Sequence, residues 1–299
     1  MGHTRTANTR QQDLHPGMHV IAVRTAGGSL GDDLRGVKIV WQRELIRFLR
    51  NKMRIITSLA QPVLFLFVLG TGLAPVLPGQ SGNFDFRTFM FPGVVAMTVL
   101  FTAIFSAVSI VWDREFGFLR EMLVAPVSRW ALVLGKCLGG ASVATAQGVI
   151  LLLMAGLVHV PYSPLLLLTL IGEMALLAFT LTSFGIMLAA RIEQVEAFQV
   201  VMQFFVLPMF FLSGAVFPLS RLPGWLLVLT QIDPLSYAVD PMRRAVFAHL
   251  DVSASLTATF NPGLNWGGWR LPTGLELTIV AVLGALMLGV AVWNFSKTD

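Results

Sequence analysis

Charged side chains are scarce in this sequence. Asp, Glu, Lys and Arg make up 12% of the 299 residues, whereas a soluble domain usually has about 25%. Hydrophobic residues make up 55% and are grouped in runs near the ~20 residues that a helix needs to cross a bilayer. This deficit of charge excludes an ordinary soluble domain and predicts an all-α membrane protein that crosses the bilayer several times.

Cysteine and catalytic motifs are also lacking. The single Cys137 can form no internal disulfide and belongs to no metal or redox motif. No GxxxxGK[ST] loop occurs, because Gly135-Lys136-Cys137 has neither the upstream glycine nor the Ser or Thr, and there is no HExxH or GxSxG. We therefore expect no cofactor or metal on this chain. A membrane-embedded hydrolase or transferase is disfavoured.

Six hydrophobic segments are long enough to cross a membrane. They are predicted at about residues 55–74, 89–112, 137–158, 165–190, 197–217 and 274–295. Pro62 lies inside the first and predicts a kink. Residues 1–34 are polar and predict a disordered tail without the apolar core of a signal peptide.

Residues 35–54 predict an amphipathic helix ahead of the first span. Its apolar stripe at helical spacing consists of Val37, Val40, Trp41, Leu45, Phe48 and Leu49. Lys38, Arg43, Arg47 and Arg50 lie opposite or flank this stripe. We expect the helix to lie in the headgroup plane with Trp41 as its interfacial anchor.

Basic residues are unevenly divided between the two sides of the predicted membrane. Sixteen of the 21 Lys and Arg residues fall on the side of the termini, and five fall on the other side. The positive-inside rule therefore places both termini in the cytoplasm of a plasma-membrane protein. The same asymmetry accounts for the net charge of +5 without a nucleic-acid partner.

The longest charged interruption, residues 113–136, separates the second span from the third. It predicts a short helix with Phe116 and Leu119 on one face and with Phe118 and Glu121 on the other. Ser128 is a plausible N-cap for the next helix. The stretch is either a docking helix at the membrane surface or a solvated amphipathic loop.

Residues 218–249 contain an apolar run, 225–232, that is too short to cross a membrane. Turn signals bound it at Pro223-Gly224 and at Asp233-Pro234. A second helical piece follows at about residues 235–249. The pair is predicted to enter the outer leaflet and return without crossing, and a plain external amphipathic hairpin is the alternative.

Glu173 is the most unusual residue within the spans, roughly 12 Å below the outer surface at 1.5 Å per residue. An intramembrane carboxylate can contact a cationic substrate or relay protons, or it can be a protonated acid hydrogen-bonded to a neighbouring helix. Phe204, Phe205 and Met209 make the fifth span soft and aromatic. Such a face suits a tolerant binding surface or lipid-facing packing.

Two groups of short motifs resemble the signature segments of a known family. Arg114-Glu115-Phe116-Gly117, Ala125-Pro126-Val127-Ser128-Arg129 and Leu134-Gly135-Lys136 resemble the signature loop of permease subunits of type-2 ABC exporters. Leu212-Ser213-Gly214, Phe217-Pro218, Leu222-Pro223, residues 233–237 and residues 240–243 resemble that family's C-terminal signature. The likeness is to the daunorubicin-resistance and nodulation-export branch, and it covers roughly residues 37–295.

The resemblance implies a permease that pairs with a second copy or a paralogue and with two separate ABC ATPase subunits, which would bind ATP and Mg. The implied coupling residues are Arg114, Glu115, Phe118 and Glu121, beside a connecting helix that carries Trp41, Arg43 and Arg47. The implied external re-entrant helices carry Pro223, Trp225, Asp233, Pro234, Tyr237 and Arg243. Glu173, Phe204, Phe205 and Met209 are candidates for the substrate path.

The expected function is outward export of an amphipathic drug or lipid-like substrate, powered by the partner ATPase in a lipid membrane. Export of a polysaccharide or lipo-oligosaccharide is the alternative. A secondary transporter would favour repeated half-sequences or a line of charges through the spans. The sequence has neither feature.

Overall fold

A computed structural model of the chain describes residues 30–74, 85–116 and 128–297. Its α-helices in chain order are α1 (Leu30–Arg50), α2 (Lys52–Leu64, continued by a π-helical segment Phe65–Leu69 and a helical turn Gly70–Leu73), α3 (Phe86–Ser106), α4 (Val108–Glu115), α5 (Arg129–Leu152), α6 (Pro164–Ala189), α7 (Val195–Leu212), α8 (Gly224–Ile232), α9 (Ser236–Phe247), α10 (Ala254–Phe260) and α11 (Thr273–Lys297). A short antiparallel hairpin of β1 (Asn265–Trp266) and β2 (Trp269–Arg270) precedes α11. The fold class is therefore helical, as predicted.

Among the described residues, six helical segments are long and apolar enough to cross a membrane, which agrees with the predicted number. They are Ile55–Leu73, Phe86–Glu115, Arg129–Leu152, Pro164–Ala189, Val195–Leu212 and Thr273–Lys297. The third begins at Arg129 rather than near residue 137 and is followed by a 3-10 turn at Ala155–Val158. The early start follows from Lys136, whose charge is paired inside the bundle and does not end the helix.

The amphipathic helix α1 begins at Leu30, ahead of the boundary expected at residue 35, and it packs along α5. Val37, Val40 and Phe48 are buried. The Trp41 Nε1 donates a hydrogen bond to Ser142 Oγ at 3.0 Å. The predicted apolar stripe, apart from the exposed Leu49, therefore faces the third span, which offers Trp41 an acceptor. The interfacial role of Trp41 stays a prediction.

Glycines on α5 allow α1 to approach it closely. A Cβ added to Gly135 would lie 2.8 Å from Cβ of Val40, and one added to Gly139 would lie 2.7 Å from Cβ of Glu44. Contacts this short do not occur between ordinary side chains. The two glycines thus set the distance between the connecting helix and the third span.

The second span, Phe86–Glu115, forms the centre of the bundle and is the most buried of the six. Its Gly93 faces the segment that follows α7, where an added Cβ would lie 2.6 Å from Ala215. Gly214, at a φ of 73°, turns the chain so that this segment folds back into the core. The region of the predicted C-terminal signature is therefore built into the bundle.

We expect Gly135→Ala to lower the melting temperature of the purified full-length protein, since the added methyl overpacks the α1–α5 contact. Overpacking typically costs about 1–3 kcal/mol. Gly289→Ala is the matched control, because a Cβ at Gly289 meets nothing within 4 Å, and Ala favours a helix over Gly by about 0.5–1 kcal/mol. Equal melting temperatures for the two variants would contradict the close packing.

Candidate functional site

Four charged side chains meet where α1, α4 and α5 come together. The Lys136 Nζ lies 2.6 Å from Asp113 Oδ2 and 3.8 Å from Glu44 Oε1. An Arg43 Nη2 lies 3.6 Å from Glu44 and 3.7 Å from Asp113. We call these four residues the ionic junction. Its charges sum to zero.

The ionic junction is largely shielded from solvent. The side chain of Lys136 is 6% exposed and that of Asp113 11%, while Arg43 is 47% exposed at the edge. The Lys136 ammonium also donates to Ser109 Oγ at 3.3 Å. Paired charges in such a site attract each other more strongly than charges at a wet surface. Each helix is therefore held by the other two.

The predicted coupling residues Arg114 and Glu115 contact the turn between the fourth and fifth spans. Arg114 donates to the carbonyl oxygens of Ala190, at 3.0 Å, and Ile192, at 3.4 Å, just after α6. Glu115 Oε2 accepts a hydrogen bond from the backbone N–H of Val195 at 3.0 Å, at the first residue of α7. A cation at a helix C-terminus and an anion at an N-terminus are both favourable positions.

The C-terminal part of the charged interruption, from Ser128 onward, is also hydrogen-bonded to other helices. Asp33 Oδ1 of α1 accepts the backbone N–H of Ser128, the N-cap position of α5, at 2.9 Å. Arg129 donates to the carbonyl oxygens of Phe295 and Ser296, both at 3.0 Å, near the end of α11. Residues 117–127, which include Phe118 and Glu121, lie outside the described residues. Both described flanks of that segment are tied to other helices.

A cavity of about 420 Å³ lies beside the ionic junction, between α1, the second and third spans and α7. Glu44 and Arg47 of α1 line one wall, and Trp112 and Gln199 line others. The predicted connecting-helix residue Arg47 is therefore directed at this cavity. Its walls combine charge with apolar surface.

At the opposite end of the bundle, Arg243 of α9 is buried. Its Nη2 donates to the carbonyl oxygen of Gly214 at 2.5 Å, and its guanidinium lies 4.4 Å from the ring centroid of Phe89. Burial lowers the pKa of Arg243 to about 10, while Asp240 acts in the opposite direction. The side chain stays cationic at neutral pH. It joins α9 to the second span and to the folded-back segment.

Its neighbour Arg244 joins α9 to the sixth span. The Arg244 Nη2 lies 2.5 Å from Asp240 Oδ2 and 3.0 Å from Glu276 Oε1, and Nη1 donates to the carbonyl oxygen of Leu271 at 2.7 Å. Asp240 Oδ2 also accepts the backbone N–H of Leu264 at 3.1 Å. These contacts fix the loop before α11 against α9.

Asp233 and Tyr237 fix the turn between α8 and α9. The Asp233 carboxylate accepts hydrogen bonds from the Leu235 N–H at 3.1 Å and the Ser236 hydroxyl at 3.2 Å. Burial raises the pKa of Asp233 to about 7 in spite of these hydrogen bonds. The Tyr237 hydroxyl donates to the carbonyl oxygen of Gln231 at 2.5 Å. Trp225 and Pro223, by contrast, are exposed.

An apolar cleft of about 430 Å³ lies between α6, α7, α8 and α11. It brings together two groups that the sequence analysis proposed separately. Phe204, Phe205 and Met209 of the fifth span line it, and so do Asp233 and Pro234 at the end of α8. Its volume falls within the ~300–1,000 Å³ of small-molecule sites.

Glu173 does not line this cleft. Its residue is 6% exposed, and Oε2 has no hydrogen-bond partner among the described residues. The structure thus does not bring it together with the aromatic residues of the predicted substrate path. Its predicted role in that path stays a prediction.

Comparison with known proteins also indicates a membrane transport protein. The sequence profile of the family described as "ABC-2 type transporter" matches residues 35–247. The transport permease ycf38 of Pyropia yezoensis is 30% identical over 225 residues, which are 70% of this chain and 73% of that protein. Nodulation protein J of Rhizobium leguminosarum bv. trifolii is 28% identical over 214 residues, which are 70% of this chain and 80% of that protein.

The multidrug ABC transporter permease YbhR of Escherichia coli (strain K12) is 29% identical over 167 residues, which are 53% of this chain and 43% of that protein. The profile match covers most of the chain, including α1, the ionic junction and α9. The chain belongs to the ABC-2 type transporter family. Membrane subunits of this family are generally not ATPases and normally work with separate ABC ATPase subunits.

Sequence reasoning identified Arg43 in this ABC-2 chain but missed its partners. Asp113 and Lys136 entered only as the ends of the charged interruption, with Lys136 also in a family motif, and Glu44 was not considered. A usable signal was present, because ionisable residues within a membrane-spanning helix usually pair with one another, and Lys136 lies about two turns inside the helix Arg129–Leu152.

Removal of one member of the ionic junction should destabilise the protein. Lys136→Met leaves the carboxylates of Asp113 and Glu44 in a shielded site, and breaking such a pair costs about 3–5 kcal/mol. We expect a clear loss of melting temperature in purified protein, partly recovered in Lys136→Met/Asp113→Asn. The control is Arg35→Met, since the Arg35–Asp32 pair is exposed and such pairs contribute about 0–1 kcal/mol. An equal effect of both single variants would contradict a buried junction.

The stability of the protein should also vary with pH because of Asp233. An unfolded Asp loses its proton near pH 3.9, whereas the folded carboxyl keeps it until about pH 7. The contribution of Asp233 to the free energy of unfolding therefore falls as pH rises from about 4 to about 7, and it is constant above that. Asp233→Asn should flatten the melting temperature across this window. The exposed Asp251 provides the control, and an Asp251→Asn profile matching that of Asp233→Asn would refute the assignment.

Proposed function

We propose that this chain is the permease subunit of an ATP-driven exporter, with both termini in the cytoplasm of a plasma-membrane protein. It works with two ABC ATPase subunits and moves an amphipathic drug or lipid-like substrate outward. The observation that carries this proposal is the ionic junction beside residues 117–127 in a chain of the ABC-2 family. The subunit itself supplies no ATP chemistry.

Coupling is proposed to run through the flanks of residues 117–127. On one side Arg114 and Glu115 hold the turn between the fourth and fifth spans. On the other side Ser128 contacts α1, and Arg129 contacts the end of α11. An ATPase that displaces this segment therefore acts on several spans at once. Phe118 and Glu121 are the residues proposed to contact the ATPase.

The orientation is supported by charge. Arg43, Arg129 and Lys136 lie at the end of the bundle that holds residue 297, and positive residues favour the cytoplasmic side. α8 is too short to cross a bilayer. Together with α9 it is proposed to form an external re-entrant pair at the exit.

A second copy of the permease is proposed to complete the pathway. The first, fifth and sixth spans are the least buried within one chain. In a dimer part of that surface faces the partner and part faces lipid. The partner permease is proposed to be either a second copy of this chain or a paralogue.

The substrate class is supported by the apolar cleft. Its lining by Phe204, Phe205 and Met209 suits hydrocarbon better than sugar, because a polysaccharide needs hydrogen-bonding partners along its path. Lipid-like or drug-like amphiphiles are therefore favoured over polysaccharide. Glu173 lies outside this cleft, and its contact with cationic members of that class stays a prediction from the sequence.

Phe118→Ala is expected to abolish substrate-stimulated ATP hydrolysis, since loss of a buried aromatic at an interface typically costs about 2–4 kcal/mol. The full-length permease and its ABC ATPase are purified as a complex and reconstituted in proteoliposomes. Recovery of ATPase, ATP hydrolysis and ATP-dependent transport are measured for each variant.

Phe116→Ala is the matched control. Phe116 contacts Trp112 edge-on, with ring centroids 6.5 Å apart, so its loss should reduce folded protein and leave coupling intact in what remains. Full ATPase recovery and full transport in Phe118→Ala would remove Phe118 from the coupling path. Transport that needs no ATP would refute the exporter proposal itself.

A further inference from the structure

We propose that the apolar cleft between α6, α7, α8 and α11 is a binding site for one acyl chain of a bilayer phospholipid. The proposed function gives this cleft to a transported amphiphile. The acyl-chain site goes beyond that function, because it requires only that the chain be embedded in a membrane and is occupied when no substrate is bound. Four observations support it.

The first observation is depth. The cleft extends from Asp233, at the end of α8, to Thr180 and Phe184 on the fourth span. Thr180 lies roughly 24 Å along α6 from its first residue, Pro164, at 1.5 Å per residue. The cleft therefore reaches the apolar interior of the fourth span rather than its external end.

The second observation is the mouth. Phe204 is 74% exposed and Ile232 is 72% exposed at its edge. Apolar side chains of the sixth span, among them Val282 and Leu286, are also exposed. The cleft thus opens on an apolar surface of the fifth and sixth spans. Hydrocarbon chains surround such a surface in a bilayer, and Thr180 and Asp233 are the few polar residues of an otherwise apolar lining, so little in the cleft favours water.

The third observation is the aromatic wall. The rings of Phe184 and Phe205 meet edge-to-face with centroids 5.5 Å apart, and those of Phe204 and Phe205 meet at 5.6 Å. These contacts join the fourth span to the fifth beside the cleft. They hold the wall in place without filling the cavity of about 430 Å³.

The fourth observation concerns charge. Asp233 is the one acidic group that lines the cleft, and its carboxylate is already hydrogen-bonded to Leu235 and Ser236. No charged headgroup is needed to satisfy it. The site therefore recognises the chain of the lipid rather than a headgroup of a given charge.

The test uses the full-length protein in nanodiscs of phosphatidylcholine with a small fraction of phosphatidylcholine that carries a diazirine at mid-chain. After photolysis, labelled residues are identified by mass spectrometry. We expect labelling at Phe205 and Met287, in the cleft, to exceed labelling at Val282 and Leu286 several-fold. Met209→Trp should reduce it several-fold, because the larger side chain fills the cavity.

Leu207→Trp is the matched control, since Leu207 lies on the same helix, is 48% exposed and does not line the cleft. It should leave labelling unchanged. If Met209→Trp is not monodisperse, Ile232→Trp narrows the mouth from α8 and is measured in its place. Two results would overturn the proposal. One is equal labelling of cleft and surface residues, and the other is unchanged labelling in Met209→Trp. Neither result depends on ATP or transport, so failure here is separate from failure of the exporter proposal.

Discussion

The pairing of Lys136 with Asp113 constrains the structure more than any other single contact. An unpaired charge in this shielded position would cost several kcal/mol, so the two groups must stay together. Asp113 belongs to the end of the second span and Lys136 to the early part of the third. The end of the second span and the early part of the third are therefore held side by side. Glu44 and Arg43 then draw α1 to the same point.

Helix ends at this side of the bundle are satisfied by side chains from other helices. Arg114 supplies donors near the end of α6, Glu115 an acceptor at the start of α7, and Arg129 donors near the end of α11. Free carbonyl and N–H groups at helix termini require such partners where water is limited. Arg114 and Arg129 therefore have two roles. The positive-inside rule counts them as evidence for the cytoplasmic side, and their hydrogen bonds position the ends of other spans.

The sequence predicts the number of spans well and the contacts between helices poorly. Length and apolar composition were sufficient for six spans and for the two short helices near residues 225 and 240, because each depends on local pattern. The start of the third span was misplaced because Lys136 was assumed to be solvated. Long-range pairing decides its position, and a single sequence does not display such pairing. For the same reason Phe205 and Asp233 were both singled out, yet nothing in their spacing placed them in one cleft.

The distribution of strong and weak contacts indicates where the bundle can move. The ionic junction and the Asp240–Arg244–Glu276 group fix helices at the two ends of the bundle. The residues of each group move together, because pulling them apart would leave charges unpaired. α7 differs, since it is held at its start by Glu115 but borders a cleft further along. Contacts across a cleft are fewer and apolar, so a change in tilt there breaks no ion pair. A displacement applied near Glu115 would therefore be converted into a tilt of the fifth span, which alters the cleft while the ends of the bundle stay assembled.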